Sequence, residues 1–146
     1  MRQPLRFLSA EQVMAIHGTM LDRWGGRTGG GPRGAAYEGV DAAVQAVKNS
    51  YYQSREELAA AYAVYIIQGH VFWDGNKRTG AAAMLTFLAA NGADTRIPPS
   101  RLVAMMINLQ RRAETGEDTA RLIAWIAGEL TRGTRSGGRS RGRQGS

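Results

Sequence analysis

Apolar residues recur every three or four positions through most of residues 9–130, and no alternation of apolar and polar residues runs long enough to define a strand. That period marks helices with one buried stripe, and it restricts the fold more than any other feature of the chain. Ser9 and Gln12 form a capping-box pattern, in which each side chain satisfies a backbone N–H of the other residue. Val13, Ile16, Met20, Leu21 and Trp24 follow at helical spacing, and Gly25-Gly26 stops that helix. Six glycines and Pro32 between Gly25 and Gly34 predict a flexible loop. A second helix is predicted from about Tyr37 to Ser50, with Val40, Ala43, Val44 and Val47 on one face. Ser54 and Glu57 cap a third helix, which carries Leu58, Tyr62, Tyr65, Ile66 and Gly69 and ends near His70. Val71 to Gly75 break the period. A fourth helix runs from about Asn76 to a cap at Asn91-Gly92, with Ala81, Met84, Leu85 and Leu88 inward. Pro98-Pro99-Ser100 starts a fifth (Leu102, Met105, Met106, Leu109), and Asp118 or Thr119 a sixth (Leu122, Ile123, Ile126, Leu130). No internal repeat is present. The expected class is all-α, a single compact bundle of about six helices over residues 1–130. A length of 146 residues suits one domain.

Composition removes several function classes. With no cysteine there is no disulfide framework, thiolate zinc site or cysteine nucleophile. The longest apolar run, Ala59 to Ile67, is too short to span a bilayer, and Met1 to Leu8 has no signal-peptide pattern, so no membrane partner is expected and the expected compartment is the cytoplasm. The formal charge is +7, but five of those charges are Arg132, Arg135, Arg139, Arg141 and Arg143, which leaves +2 for residues 1–130. Residues 131–146 hold Gly, Ser, Thr, Arg and Gln with nothing to bury, and are expected to be a disordered tail. A solvated terminus is the plainer reading of that tail. Contact with nucleic acid is the lesser one, because no aromatic residue is there to stack a base.

The chemistry concentrates in residues 69–80, GHVFWDGNKRTG, between the third and fourth helices. A helix N-terminus presents unpaired N–H groups and positive partial charge, so it binds anions. Gly75 has no Cβ to hold a ligand away from the backbone, and Asn76 adds amide donors. Lys77 and Arg78 put two cations in the first helical turn, where the macrodipole disfavours each by roughly 0.3–1 kcal/mol. Cations in that position imply an anion, and a polyphosphate fits. Asp74 can hold Mg²⁺, which binds one or two carboxylates together with substrate phosphates. His70, across the loop, carries an imidazole, a side chain that can take a proton from an attacking hydroxyl. Phe72 reads as the apolar pin of the loop. Taken singly, each residue has a plainer reading: a helix-end histidine, an N-cap aspartate, solvated cations. Only an anion site explains all of them within one turn. Trp73 packs on the core or lines the pocket entrance, the former being preferred. His17 reads as a hydrogen-bonded structural histidine, and Met105, Met106 and Trp125 as core.

HVFWDGNKRTG resembles the signature of the Fic/Doc superfamily, and more closely its Doc branch, His-x-Phe-x-Asp-x-Asn-Lys-Arg. His70, Phe72, Asp74, Asn76, Lys77 and Arg78 meet all the fixed positions. The opening helix with His17 and the Trp24-Gly25-Gly26 turn is similar to the family's start, and Phe87-Leu88 to Asn91-Gly92 to the end of its motif helix. Where the family often has Arg-Asp in the loop after the first helix, this chain has Arg33-Gly34, and it lacks the Ser/Thr-x-x-x-Glu-Gly/Asn inhibitory segment of some members.

The resemblance implies a Doc-like toxin that transfers phosphate from ATP with Mg²⁺ to a hydroxyl of a target protein. For Doc-type members that target is a translation factor, elongation factor Tu, and a small antitoxin protein neutralises them. By position His70 is the general base, Asp74 the Mg²⁺ ligand, Gly75 and Asn76 the anion hole, and Lys77 and Arg78 the phosphate clamp, so His70, Asp74, Lys77 and Arg78 carry the reaction. Fic-type transfer of AMP by the same site is the alternative enzyme reading, since Fic proteins carry glycine where this chain has Lys77. A non-catalytic module that uses the basic tail is the alternative outside enzymes.

Overall fold

The structure, a computed structural model, describes residues 4–27 and 36–136. Six helices run in chain order among them: α1 (Ala10–Trp24), α2 (Ala36–Lys48), α3 (Arg55–Gln68), α4 (Asn76–Ala90), α5 (Pro99–Glu114) and α6 (Thr119–Gly133). The fold is all-α, as the periodicity requires. Both capping boxes form: Ser9 and Ser54 accept from the backbone N–H three residues on, and the Gln12 and Glu57 side chains reach back. The expected loop after Gly25 lies outside the described residues from residue 28 to 34.

α3 is the central helix and packs on α2, α4, α5 and α6. It is buried on every side from Leu58 to Val64, where the sequence pattern indicated a single stripe. The alanines of that stretch let neighbouring helices come close. At Gly80 of α4 a Cβ would lie 3.2 Å from Ile67 Cγ1 and Cδ1, so the α3–α4 spacing leaves little room even for a methyl group. Tyr62 is fully buried, and its hydroxyl accepts from the Leu8 N–H at 2.9 Å while donating to the Leu8 carbonyl at 3.4 Å. Burial pushes its phenol up to about 12. At the C-terminus of α4, Asn91 Oδ1 accepts from the Arg6 N–H at 2.7 Å and its Nδ2 donates to the Arg6 carbonyl at 3.0 Å. Two side chains from the middle of the chain thus fix the segment that leads into α1.

One small β element was not legible in the pattern. β1 (Ala93–Thr95) pairs antiparallel with β2 (Thr134–Ser136), Ala93 facing Ser136 and Thr95 facing Thr134. Arg96 N–H extends the pairing by donating to the Gly133 carbonyl at 2.7 Å. α6 runs to Gly133 and β2 to Ser136, and residues 137–146 lie outside the described residues. The sequence pattern gives no sign of this pairing, because it satisfies backbone groups, whatever side chains they carry. No described helix is long and apolar enough to cross a membrane.

Candidate active site

The loop between α3 and α4 is held from three directions. Phe72, 1% exposed, lies flat against the imidazole of His17 from α1, with ring centroids 3.6 Å apart and planes 7° from parallel. His17 is itself buried, and its Nε2–H donates to the Asp74 carbonyl at 2.9 Å, which fixes the proton on that nitrogen. Asn76 brackets the backbone of Phe72: Oδ1 accepts from its N–H at 3.1 Å, and Nδ2 donates to its carbonyl at 2.8 Å. The Asn76 amide, expected to offer donors to an anion, is thus engaged in bracing the loop, because the polar backbone of a tight loop needs partners.

What the bracing leaves open is the start of α4. Gly75 is its N-cap, in the left-handed conformation at φ 84°, and no side chain caps the helix. The first bond within this helix joins Thr79 N–H to the Gly75 carbonyl at 2.8 Å, so the N–H groups of Asn76, Lys77 and Arg78 have no acceptor inside the helix. Asp74 does not act as the cap. Its Oδ2 accepts instead from the Arg27 N–H at 2.8 Å. That bond requires the turn after α1 to approach closely: a Cβ on Gly26 would lie 2.9 Å from Leu21 Cδ2 and 3.1 Å from Asp74 Cβ.

These groups border a cleft of about 920 Å³ between the end of α1, the start of α4 and one flank of α5. That volume is at the upper end of the roughly 300–1,000 Å³ typical of small-ligand sites. Its lining combines Asp74, Gly75, Asn76, Lys77, Arg78 and Arg23 with the apolar side chains of Met20, Trp24, Leu85, Leu102, Val103, Met106 and Ile107. Three cations and one carboxylate, together with the positive end of a helix, make the polar part of this lining a site for an anion. Among the described residues no three His, Asp or Glu side chains cluster as a protein-only metal cage would. A divalent cation at Asp74 would draw its other ligands from phosphate oxygens and water, which is how Mg²⁺ is commonly held.

The signature cations are anchored at a distance from the loop. Lys77 Nζ donates to Gln110 Oε1 of α5 at 2.6 Å. The guanidinium of Arg78 lies 5.2 Å from the ring centre of Trp24. His70 is exposed and stands outside the cleft lining. It is the one non-glycine residue at positive φ among the described residues, at 46°. Such a conformation costs a side-chain-bearing residue roughly 1–2 kcal/mol, and His is among the types that tolerate it best. Trp73 does not pack on the core. It is 48% exposed, with the Arg27 guanidinium 4.6 Å from its ring centre. His17 and Phe72 are structural, as read from sequence.

Sequence reasoning missed the α5 wall of the cleft. Val103 and Ile107 lie off the buried face formed by Met105, Met106 and Leu109, and both are exposed. A pair of β-branched apolar residues four apart on the wrong side of an amphipathic helix was the available signal. Gln110 gave none, since an isolated glutamine on a helix surface is ordinary.

Comparison with known proteins adds two findings. A family model described as the Fic/DOC family matches residues 7–88, a stretch that contains the whole His70–Arg78 segment. The chain is also similar to Protein kinase doc of Escherichia phage P1, 33% identical over 122 residues that cover 82% of this chain and 91% of that protein.

Proposed function

This chain belongs to the Fic/DOC family, and from that membership and the open start of α4 we propose that it is a Doc-like toxin: a phosphotransferase that moves the γ-phosphoryl group of ATP onto a hydroxyl of a target protein. The observation that carries the reading is the uncapped N-terminus of α4, which opens on a cleft bordered by Asp74, Lys77 and Arg78. The similarity to a protein whose name is Protein kinase doc favours phosphate over AMP transfer. Lys77 supports the same choice, because a charged side chain where Fic proteins carry glycine changes how a triphosphate can lie against the helix. The apolar side chains of the lining, among them Trp24, Leu85 and Ile107, offer a surface to the base.

In the mechanism, the main-chain N–H groups at the start of α4 donate to phosphate oxygens, and Lys77 and Arg78 neutralise the charge on them. Asp74 would hold Mg²⁺, which would supply further neutralisation of the phosphate charge. Exposed His70 takes the proton from the target hydroxyl as its oxygen bonds to the γ-phosphorus, and the bond from that phosphorus to the bridging oxygen breaks to release ADP. The protein's contribution is positioning and charge, with little covalent work. The proposed partners are a protein substrate, by family resemblance a translation factor such as elongation factor Tu, and a small neutralising antitoxin; the proposed compartment is the cytoplasm.

Label transfer from γ-labelled ATP to a host protein supports the proposal, and transfer only from α-labelled ATP overturns it in favour of AMP transfer. His70→Ala is expected to abolish transfer and growth inhibition while ATP affinity stays within about threefold, since the imidazole acts on the hydroxyl and not on the nucleotide. Full growth inhibition by His70→Ala would remove the histidine from the mechanism.

A further inference from the structure

We infer that Gln110 of α5, outside the signature segment, is the positioning residue for Lys77: it orients the ammonium at the cleft by a neutral hydrogen bond and so leaves its whole charge for an anionic ligand. This rests on the triphosphate reading of the cleft. Lys77 lines the cleft and Gln110 does not, yet Lys77 Nζ donates to Gln110 Oε1 at 2.6 Å across 33 positions of sequence. Both side chains are half-buried.

The glutamine amide has only one orientation that works. Its Nε2 donates to Glu114 Oε2 at 3.2 Å, one helical turn further along α5. A flipped amide would turn its N–H groups toward the ammonium and its carbonyl toward the carboxylate, opposing both contacts. Glu114 therefore fixes Gln110, and Gln110 fixes Lys77. The arrangement answers a difficulty of the site. Lys77 sits in the first turn of α4, where the helix dipole and neighbouring Arg78 repel a second cation. A free lysine would swing away into solvent on its flexible stem. A carboxylate would hold it more strongly and cancel the charge that attracts the ligand. Among the described residues Lys77 has no ion-pair partner. A neutral acceptor satisfies both demands.

Two variants of the full chain separate orientation from charge. Gln110→Met keeps the length and removes the acceptor. Its kcat should fall about tenfold or more, the loss expected for one charge-assisted hydrogen bond, with KM for ATP changing less than threefold. Gln110→Glu keeps an acceptor and adds a negative charge, so KM for ATP should rise about tenfold or more. A cycle with Lys77→Met tests the route: in that background Gln110→Met should change neither constant further. Additive losses in the cycle, or wild-type kinetics in both single variants, overturn the inference. If Gln110→Met fails to fold, Gln110→Glu carries the test, and an unchanged KM there overturns it equally. The underlying reading fails separately: wild-type protein that binds no ATP in titration calorimetry sinks the triphosphate site and this inference with it. Wild-type turnover with unchanged variants sinks the inference alone.

Discussion

Tyr62 illustrates how one buried polar atom ties together distant parts of the chain. Its hydroxyl is the partner of both the N–H and the carbonyl of Leu8, in a core position where water cannot replace it. Tyr62→Phe fills nearly the same volume but orphans the buried N–H of Leu8, and should cost about 1–3 kcal/mol in urea unfolding. The same burial raises the phenol to about 12. A raised folded-state value means that the neutral phenol contributes stability that is complete below the ordinary tyrosine value of about 10 and is lost as pH climbs through about 12. The part attributable to this residue is roughly 2–3 kcal/mol. Unfolding curves at pH 9 and 11 should therefore show a steeper alkaline loss for wild type than for Tyr62→Phe. Equal losses would place the alkaline sensitivity at other tyrosines, such as Tyr37 or Tyr52, which are also shifted upward, by hydrogen bonding to Glu11 and by burial respectively. His17 was legible as a structural histidine because it shares a helical face with Val13. That its partners are Phe72 and the Asp74 carbonyl was not, since nothing local indicates where α1 crosses the loop.

The α4 start depends on its cap more than on its propensity. Gly75 adopts φ 84°, and a Cβ there would meet His17 at an ordinary 3.5 Å, so backbone strain and not collision opposes substitution. Gly75→Ala should destabilise by about 1–2 kcal/mol, and Gly75→Asn by less, because Asn tolerates the left-handed region. Thermal unfolding distinguishes them, and a stabilised Gly75→Ala would contradict the assigned conformation. The helices themselves were readable to within a residue or two because caps and periodicity are local. Trp24 is where the pattern misled: it continues the apolar spacing of α1, yet is 61% exposed and lines the cleft beside Arg78. An apolar stripe predicts a covered face. It cannot tell whether protein or a ligand does the covering.

For the molecule as a unit, the lesson lies at the C-terminus. α6 is tied to α5 by Arg101 and Glu129, 2.6 Å apart, and β2 closes on β1 beyond it. A chain ending at Ser136 retains every described element, and should keep its melting temperature within about 2 °C and its growth inhibition. A chain ending at Leu130 loses β2 and the bond from Arg96 to Gly133, and should melt a few degrees lower, by roughly 2–4 °C for about 1 kcal/mol in a domain near this size. If truncation at Ser136 abolishes activity with the melt unchanged, residues 137–146 hold a function of their own and the tail-binding alternative gains.

Local physics was enough to write six helices, their caps and the charged turn from His70 to Arg78, because each depends on residues within a few positions of one another. Assembly alone could decide that α3 is buried all round, that Asn76 braces Phe72, that Trp73 faces solvent under Arg27, and that Gln110 meets Lys77. These are contacts between segments far apart in the chain, and a side chain carries no mark of the surface that will fold against it.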